Sequence, residues 1–534
     1  MKRLESLLFL ILVLLTTASF AATHAATQLG SGVAVDGEGR VRVVSTEPAD
    51  NGSTIAIAAL DDSSAPKIRV TQKPEPVSAD GENHPKLAFG PKGEMYVSWT
   101  SPTSDRYTGD IHFSRSLDDG RTWSTPSIVH RDRQLITHRF DSLVVDGSGR
   151  VWLAWIDKRD QAAAEKAGRE YAGAAIYYAY SEDQGAHWRG DFKLADHTCE
   201  CCRIALAKDE RGRVVAFWRH VFEHNERDHA FAALEPNRKP VVHRATFDHW
   251  SIDACPHHGP SLAIDDRGVK HAVWFSQVNG DSRAFYGQLH PGAPPTQVIE
   301  LPRGAMHPDV AVSGRQIAIA WKRFDGTQSR LETRLSLDGG QSFKDSGAAT
   351  TRNESDQPRL IGGSNAIRTV WRRADGMTSF AVDDEPSAIT QTTAAGDVSS
   401  PEQGEVHSFD LSTLSRITQA QSGNAFWLIL WDLDCPYCMK SLANIAKAQE
   451  RDPSMRVITV ATDSTDQATA IKARLAQLGV RSDVYAFSNA APAEALRYAI
   501  DPNWMGEKPR AYLYDASGTR TTFTGVLKPE QLTR

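Results

Sequence analysis

The chain has 534 residues, with 60 Lys and Arg against 66 Asp and Glu and a net charge of −6. That length exceeds one ordinary domain and can bury more than one core. The near-balanced, slightly acidic charge excludes the basic footprint of a nucleic-acid binder.

Residues 1–26 read as a signal peptide. Lys2 and Arg3 give the positive start, residues 7–15 the apolar core, and the small residues up to Ala26 a cleavage region. The expectation is export to a bacterial periplasm, with the membrane touched only if this segment stays uncleaved. After it, no stretch approaches the ~18–20 continuous apolar residues of a membrane span. In an oxidising compartment disulfides form and persist, so all six cysteines are read in that light.

Residues 27–387 repeat a unit of about fifty to sixty residues, the size of a four-stranded propeller blade. A short apolar strand, an acidic-glycine turn and a second strand, usually ending in Trp, recur at 31–45, 84–99, 140–155, 203–218, 259–274, 307–321 and, more weakly, 357–371. Alternation such as Val151-Trp152-Leu153-Ala154-Trp155 has the period of a strand, and the Gly-containing turns close hairpins. Seven copies predict a seven-bladed all-β propeller, with a six-bladed ring as the alternative. Three intervening turns share a second pattern, S-x-D-x-G-x-x-W/F, at 116–123, 181–188 and 336–343. Ser and Asp side chains satisfy turn backbone there, and Gly supplies a positive φ. This pattern resembles the Asp-box of sialidase and BNR-repeat propellers. The resemblance implies a fold, and a fold carries no activity by itself.

An exo-sialidase-like glycoside hydrolase is one function the resemblance suggests, but the Phe/Tyr-Arg-Ile-Pro motif of those enzymes is missing. The corresponding positions read His84-Pro85-Lys86-Leu87 and Gln357-Pro358-Arg359-Leu360, and no Tyr is singled out with its Glu. Arg139, Arg203 and Arg359 begin inner strands and are candidates for an anion clamp. The same register brings Asn83-His84, His138-Arg139, Cys202-Arg203, His257-His258 and Met306-His307 to one mouth of the channel. Cys199, Cys201, Cys202 and Cys255 fall in or beside this ring, and sixteen of the eighteen histidines lie between His84 and His307. Three readings stay open for Cys199, Cys201, Cys202, Cys255, His257 and His258: structural disulfides, a copper or zinc site, or a redox-active thiol cluster. A periplasmic metal-handling protein is the function that follows from the second.

Residues 388–404, rich in Ser, Thr, Ala and Gly, have the composition of a linker. In 405–534 an apolar strand at 426–431 runs into Cys435-Pro436-Tyr437-Cys438, and 439–449 reads as an amphipathic helix. A cysteine at a helix start faces unpaired backbone N–H groups, which stabilise its thiolate. Cys438, one turn on, is placed to resolve a mixed disulfide. Strands at 456–462, 483–487, 511–514 and 521–526 and helices at 467–478 and 492–500 follow. The segment resembles the thioredoxin superfamily, in its order of elements the TlpA-type domains, so an α/β thioredoxin fold is expected. That resemblance implies a cis-proline at Pro509 and a thiol–disulfide oxidoreductase with Cys435 as nucleophile. It needs no cofactor for exchange. Its partners would be periplasmic protein thiols or disulfides and a membrane reductant or oxidant. Asp434 stands where the family usually has Trp, and a carboxylate there opposes thiolate formation. The direction of the redox chemistry stays open. A short tether would let Cys435 meet a disulfide or thiol on the propeller mouth.

Overall fold

The computed structural model describes residues 28–532 except 63, 105–106, 364–365, 384–387 and 390–405. The signal-peptide segment and nearly all of the expected linker lie outside the described residues. No described helix is long and apolar enough to cross a membrane.

Seven antiparallel sheets follow one another along the propeller segment, one per repeat, and form a seven-bladed propeller. In each blade the two strands of the sequence repeat are the inner pair. Blade three runs His138–Val145, Val151–Asp157, Ala174–Ser181 and Arg189–Thr198 in that order. The tryptophans ending the second strands, Trp99, Trp155, Trp218, Trp274, Trp321 and Trp371, are almost fully buried. Each removes ~150–250 Å² from water, several kcal/mol at ~25 cal/mol per Å². The three S-x-D-x-G turns join the third and fourth strands of blades two, three and six. In the first, Gly120 N–H donates to Ser116 Oγ at 2.8 Å and Thr122 N–H to Asp118 Oδ1 at 2.9 Å.

The seventh blade is incomplete outside its inner pair. Two fragments, Gly376–Thr378 and Ala381–Val382, share the third-strand position against Ile367–Arg373. Side chains instead help close the ring there: Ser31 donates through its N–H and Oγ to Asp356 Oδ2, both at 3.0 Å. Ala388–Ile389, placed by sequence in the linker, pairs parallel to the outer strand Lys344–Thr351 of blade six.

The C-terminal part is a six-stranded mixed sheet with helices. In spatial order its strands are His407–Phe409, Asp483–Phe487, Val457–Ser464, Phe426–Trp431, Arg510–Tyr514 and Arg520–Thr524. The first four are mutually parallel; Arg510–Tyr514 is antiparallel to Phe426–Trp431, and Arg520–Thr524 antiparallel to Arg510–Tyr514. Phe426–Trp431, central and buried throughout, leads directly to the helix Pro436–Arg451.

This part docks on the propeller. The backbone of Cys255 pairs with that of Lys508 in both directions, at 2.7 and 3.1 Å, and Val526 N–H donates to Asp253 O at 3.0 Å. Lys322 Nζ reaches Glu494 Oε1 at 2.6 Å, and Met505 packs in the propeller core beside Trp250 and Phe275.

Candidate functional site

The site lies between the propeller mouth and the start of the helix Pro436–Arg451. Cys435 is the N-cap of that helix, with Pro436 in its first turn, where a missing N–H costs nothing. Cys438 N–H donates to Cys435 Sγ at 3.0 Å, and the two sulfurs are joined as a disulfide. Neither cysteine has exposed surface. The peptide between Lys508 and Pro509 is cis.

One buried cluster contains Cys435 and Cys438 together with Cys199, Cys201, Cys202 and Cys255, which are all free thiols. The link is physical. Arg227 of the propeller donates to the Tyr437 hydroxyl at 2.6 Å, and its other nitrogen lies 3.9 Å from Cys199 Sγ. The sulfurs of Cys199, Cys201 and Cys202 form a triangle with edges of 3.7, 3.5 and 3.9 Å. Hydrogen bonds from the Cys201 and Cys202 thiols pull Cys199 well below the ordinary thiol pKa despite its burial, helped by Arg227 and Arg219. Burial pushes Cys201 and Cys202 well above it. Of the three, Cys199 is therefore the sulfur most easily ionised.

Cys201 also belongs to a second group with Cys255 and His257, whose ligand atoms lie within 4.8 Å of one another. His257 Nε2 is buried without a hydrogen-bond partner. Burial, then the Lys508 cation, push its pKa down to about 4, leaving a neutral imidazole. His258 does not join either group: it stacks on Phe275 at 3.9 Å and on His307 at 4.4 Å, and its Nε2 sits 2.9 Å from Met505 O. A cavity of about 280 Å³ opens on Cys201, Cys255 and His257 and reaches Asp434 and Pro436. Asp434 is exposed there, so solvent screens its effect on Cys435. Asp432, two residues before Asp434, pairs with Lys508, and behind it the Asp463 carboxyl is pushed up to about 7 by burial and by the Asp432 charge.

Of the arginines named as a clamp, Arg139 lines the mouth cavity over the Phe140 ring, while the other two are committed elsewhere. Arg203 donates to Glu82 Oε1, Gln357 Oε1 and the carbonyls of Pro260 and Pro308; Arg359 donates to the carbonyls of Ser31 and Gly81 and meets His84 Nδ1 at 3.1 Å. Glu82 is the hub. It also accepts from Gln357 Nε2 and from Gly259 N–H, at 2.8 and 2.9 Å, where a Cβ on Gly259 would collide with Arg203 and Glu82. Burial pushes the Glu82 carboxyl up, but Arg203 and His307 outweigh it and hold it well below the usual range. Sequence reasoning missed Glu82 and Arg227. Neither sits in a motif; Glu82 was flagged only by its neighbours Asn83 and His84. His138 pairs with Asp157 and stacks on His130 at 3.9 Å, apart from the sulfurs.

No protein-family model matches the chain, and no curated protein matches it. Comparison with solved structures gives distant matches. An alpha-L-arabinanase of Penicillium chrysogenum is 14% identical, covers 56% of this chain and 90% of its own, and has a TM-score of 0.39. A polysaccharide lyase acting as ulvan lyase is 11% identical, with 66% and 91% covered and a TM-score of 0.43. A secreted disulfide oxidoreductase of Mycobacterium tuberculosis is 16% identical over 22% of this chain and 81% of its own, with a TM-score of 0.18. At these levels of similarity no activity transfers to this chain.

Proposed function

We propose that this chain is an exported thiol–disulfide oxidoreductase: a sialidase-like Asp-box propeller joined to a TlpA-like thioredoxin domain, whose Cys435–Cys438 pair serves the cysteines at the propeller's own mouth. The observation that carries the reading is the burial of all six sulfurs in one cluster. A redox pair with no exposed surface meets, in this docked arrangement, only partners on its own chain. In the forward reaction the Cys435 thiolate attacks a disulfide between two propeller cysteines, forming a mixed disulfide and releasing one thiolate. Cys438 then attacks Cys435 Sγ, closing the Cys435–Cys438 disulfide and releasing the second propeller thiol. Two electrons pass from the C-terminal pair to the propeller. A closed Cys435–Cys438 disulfide beside four free propeller thiols is the product state of that reaction. An external dithiol, supplied at the membrane of the periplasm, would restore the pair.

The test is a Cys438→Ser chain, which cannot resolve the mixed disulfide. After mild oxidation, peptide mapping is expected to find Cys435 linked to Cys199, Cys201, Cys202 or Cys255. Recovery of Cys435 as a free thiol, or joined only to small-molecule thiols, would overturn the proposal.

A further inference from the structure

We infer that Cys199, Cys201 and Cys202 hold one soft monovalent metal ion, Cu(I), in three-coordinate thiolate geometry. The argument begins with spacing. A disulfide brings two sulfurs to ~2.05 Å, so none of these three pairs is bonded, yet all three sulfurs face one point. An ion bonded to sulfur at ~2.3 Å in tetrahedral geometry separates its ligands by ~3.8 Å, and a planar trigonal ion by ~4.0 Å. The edges here, 3.5, 3.7 and 3.9 Å, match one ion held by all three sulfurs with only small inward or outward adjustment.

The ligand set then selects the ion. Three thiolates are the donors of soft metals. Structural Zn²⁺ almost always takes four ligands, and among the described residues no further cysteine, histidine or carboxylate lies within reach of all three sulfurs. A site of three sulfurs is complete for Cu(I) and one ligand short for zinc. Arg227, 3.9 Å from Cys199 Sγ and fully enclosed, stands against the net negative charge of such a complex.

There is also a way in. Cys201 is shared between this trio and the group it forms with Cys255 and His257, and those three line the cavity at the propeller mouth. The buried, partnerless His257 Nε2 and the Cys255 thiol are donors an incoming ion meets before it reaches Cys199 and Cys202. The ligands must be thiols to bind. On the oxidoreductase reading, which this second role presupposes only in the cell, the Cys435–Cys438 pair keeps them so.

The site is testable apart from that reading. The full chain carrying Cys435→Ser and Cys438→Ser, reduced with a phosphine and kept anaerobic, is titrated with Cu(I) against a chromophoric Cu(I) chelator. One equivalent is expected to be retained, with X-ray absorption reporting three sulfur ligands. In the same background Cys199→Ser or Cys202→Ser should weaken retention roughly a hundredfold or more, beyond what the loss of an outer-shell group costs. Leu337→Ala, on the exposed turn 336–343 of blade six, removes no sulfur, should leave one equivalent bound and serves as the folding control. Failure to retain copper, retention indifferent to Cys199 and Cys202, or displacement of Cu(I) by equimolar Zn²⁺ would each overturn the inference. Because both exchange sulfurs are absent, none of these outcomes bears on the redox chemistry.

Discussion

Lys322 is a buried cation at the contact between the propeller and the docked part. It sits on the propeller strand Gln316–Phe324, with its side chain only 3% exposed. Its Nζ donates to Glu494 Oε1 of the docked part at 2.6 Å and to Ser355 O at 2.7 Å. A second carboxylate is close by, since Glu354 accepts from Ala493 N–H at 2.8 Å. Burial pushes Glu494 up, but Lys322 and Arg497 hold it down at about 2, so it is ionised. In Lys322→Met the aliphatic stem stays and the ammonium goes, leaving one buried carboxylate facing another. Truncating one partner of a buried pair costs ~3–5 kcal/mol. In the undocked chain water solvates Glu494, so the cost falls on the docked state. Glu354 can stay protonated and relieve part of it, which favours the lower figure of ~3 kcal/mol. At ~1.4 kcal/mol per decade the opening equilibrium then rises about a hundredfold. The assay is the rate at which a phosphine reduces Cys435–Cys438 at neutral pH, followed by alkylation and mass spectrometry. With both sulfurs enclosed, reduction waits on opening. A rate in Lys322→Met equal to that of the unaltered chain would refute this reasoning, as would an unaltered chain whose disulfide reacts as fast as an exposed one.

Glu354 adds a pH dependence. Burial, then the Glu494 charge, push its carboxyl from 4.5 up to about 7, against the pull of Lys322 and Arg497. A carboxyl raised on docking favours the docked state while protonated. Docking should therefore weaken from about pH 4.5 up through pH 7, by at most about 3 kcal/mol, and Glu354→Gln should flatten that trend in the phosphine assay. Glu82→Gln leaves Arg203 buried without its counter-charge and should destabilise the propeller by ~3–5 kcal/mol, read as a lower denaturant midpoint; an unchanged midpoint would show that Gln357 and the carbonyls suffice.

The inner half of each blade was legible because it repeats. A buried strand on a pleated face alternates, and a Trp at the same place in six copies leaves little choice of register. The outer half of blade seven was not, since fragments as short as Gly376–Thr378 carry no period to read. The helix Arg159–Lys166 follows an inner strand as an insertion without an amphipathic signal, only Ala164 being buried in it. In the C-terminal part the strands Phe426–Trp431 and Asp483–Phe487 stand where apolar runs placed them. His407–Phe409 and the helix Thr413–Ala420 were missed, the first being three residues long and the second mostly polar. The site divides the same way. The cysteines announced themselves by type and spacing. Arg227 on Tyr437, 210 residues apart, and Glu82 at the hub are long-range pairings with no local pattern.

That division explains how one pair of sulfurs can have two kinds of partner on the proposed reading. Docked, Cys435 is enclosed with the propeller thiols, and exchange within the chain needs no collision. Undocked, it faces solvent and an external dithiol. The same contacts that permit the first exclude the second, so turnover requires an interface strong enough to close and weak enough to open. The contacts fit that demand. The backbone pairing of Cys255 with Lys508 fixes the register of closure. The carboxylates Glu354 and Glu494 around one lysine set its strength in a way that protons can adjust. A chain in which Lys322→Met speeds external reduction should, for the same reason, slow exchange between Cys435 and the propeller cysteines. Measuring both rates on one variant tests the coupling, and an unchanged denaturant midpoint for the propeller separates a gate from a general loosening of the fold.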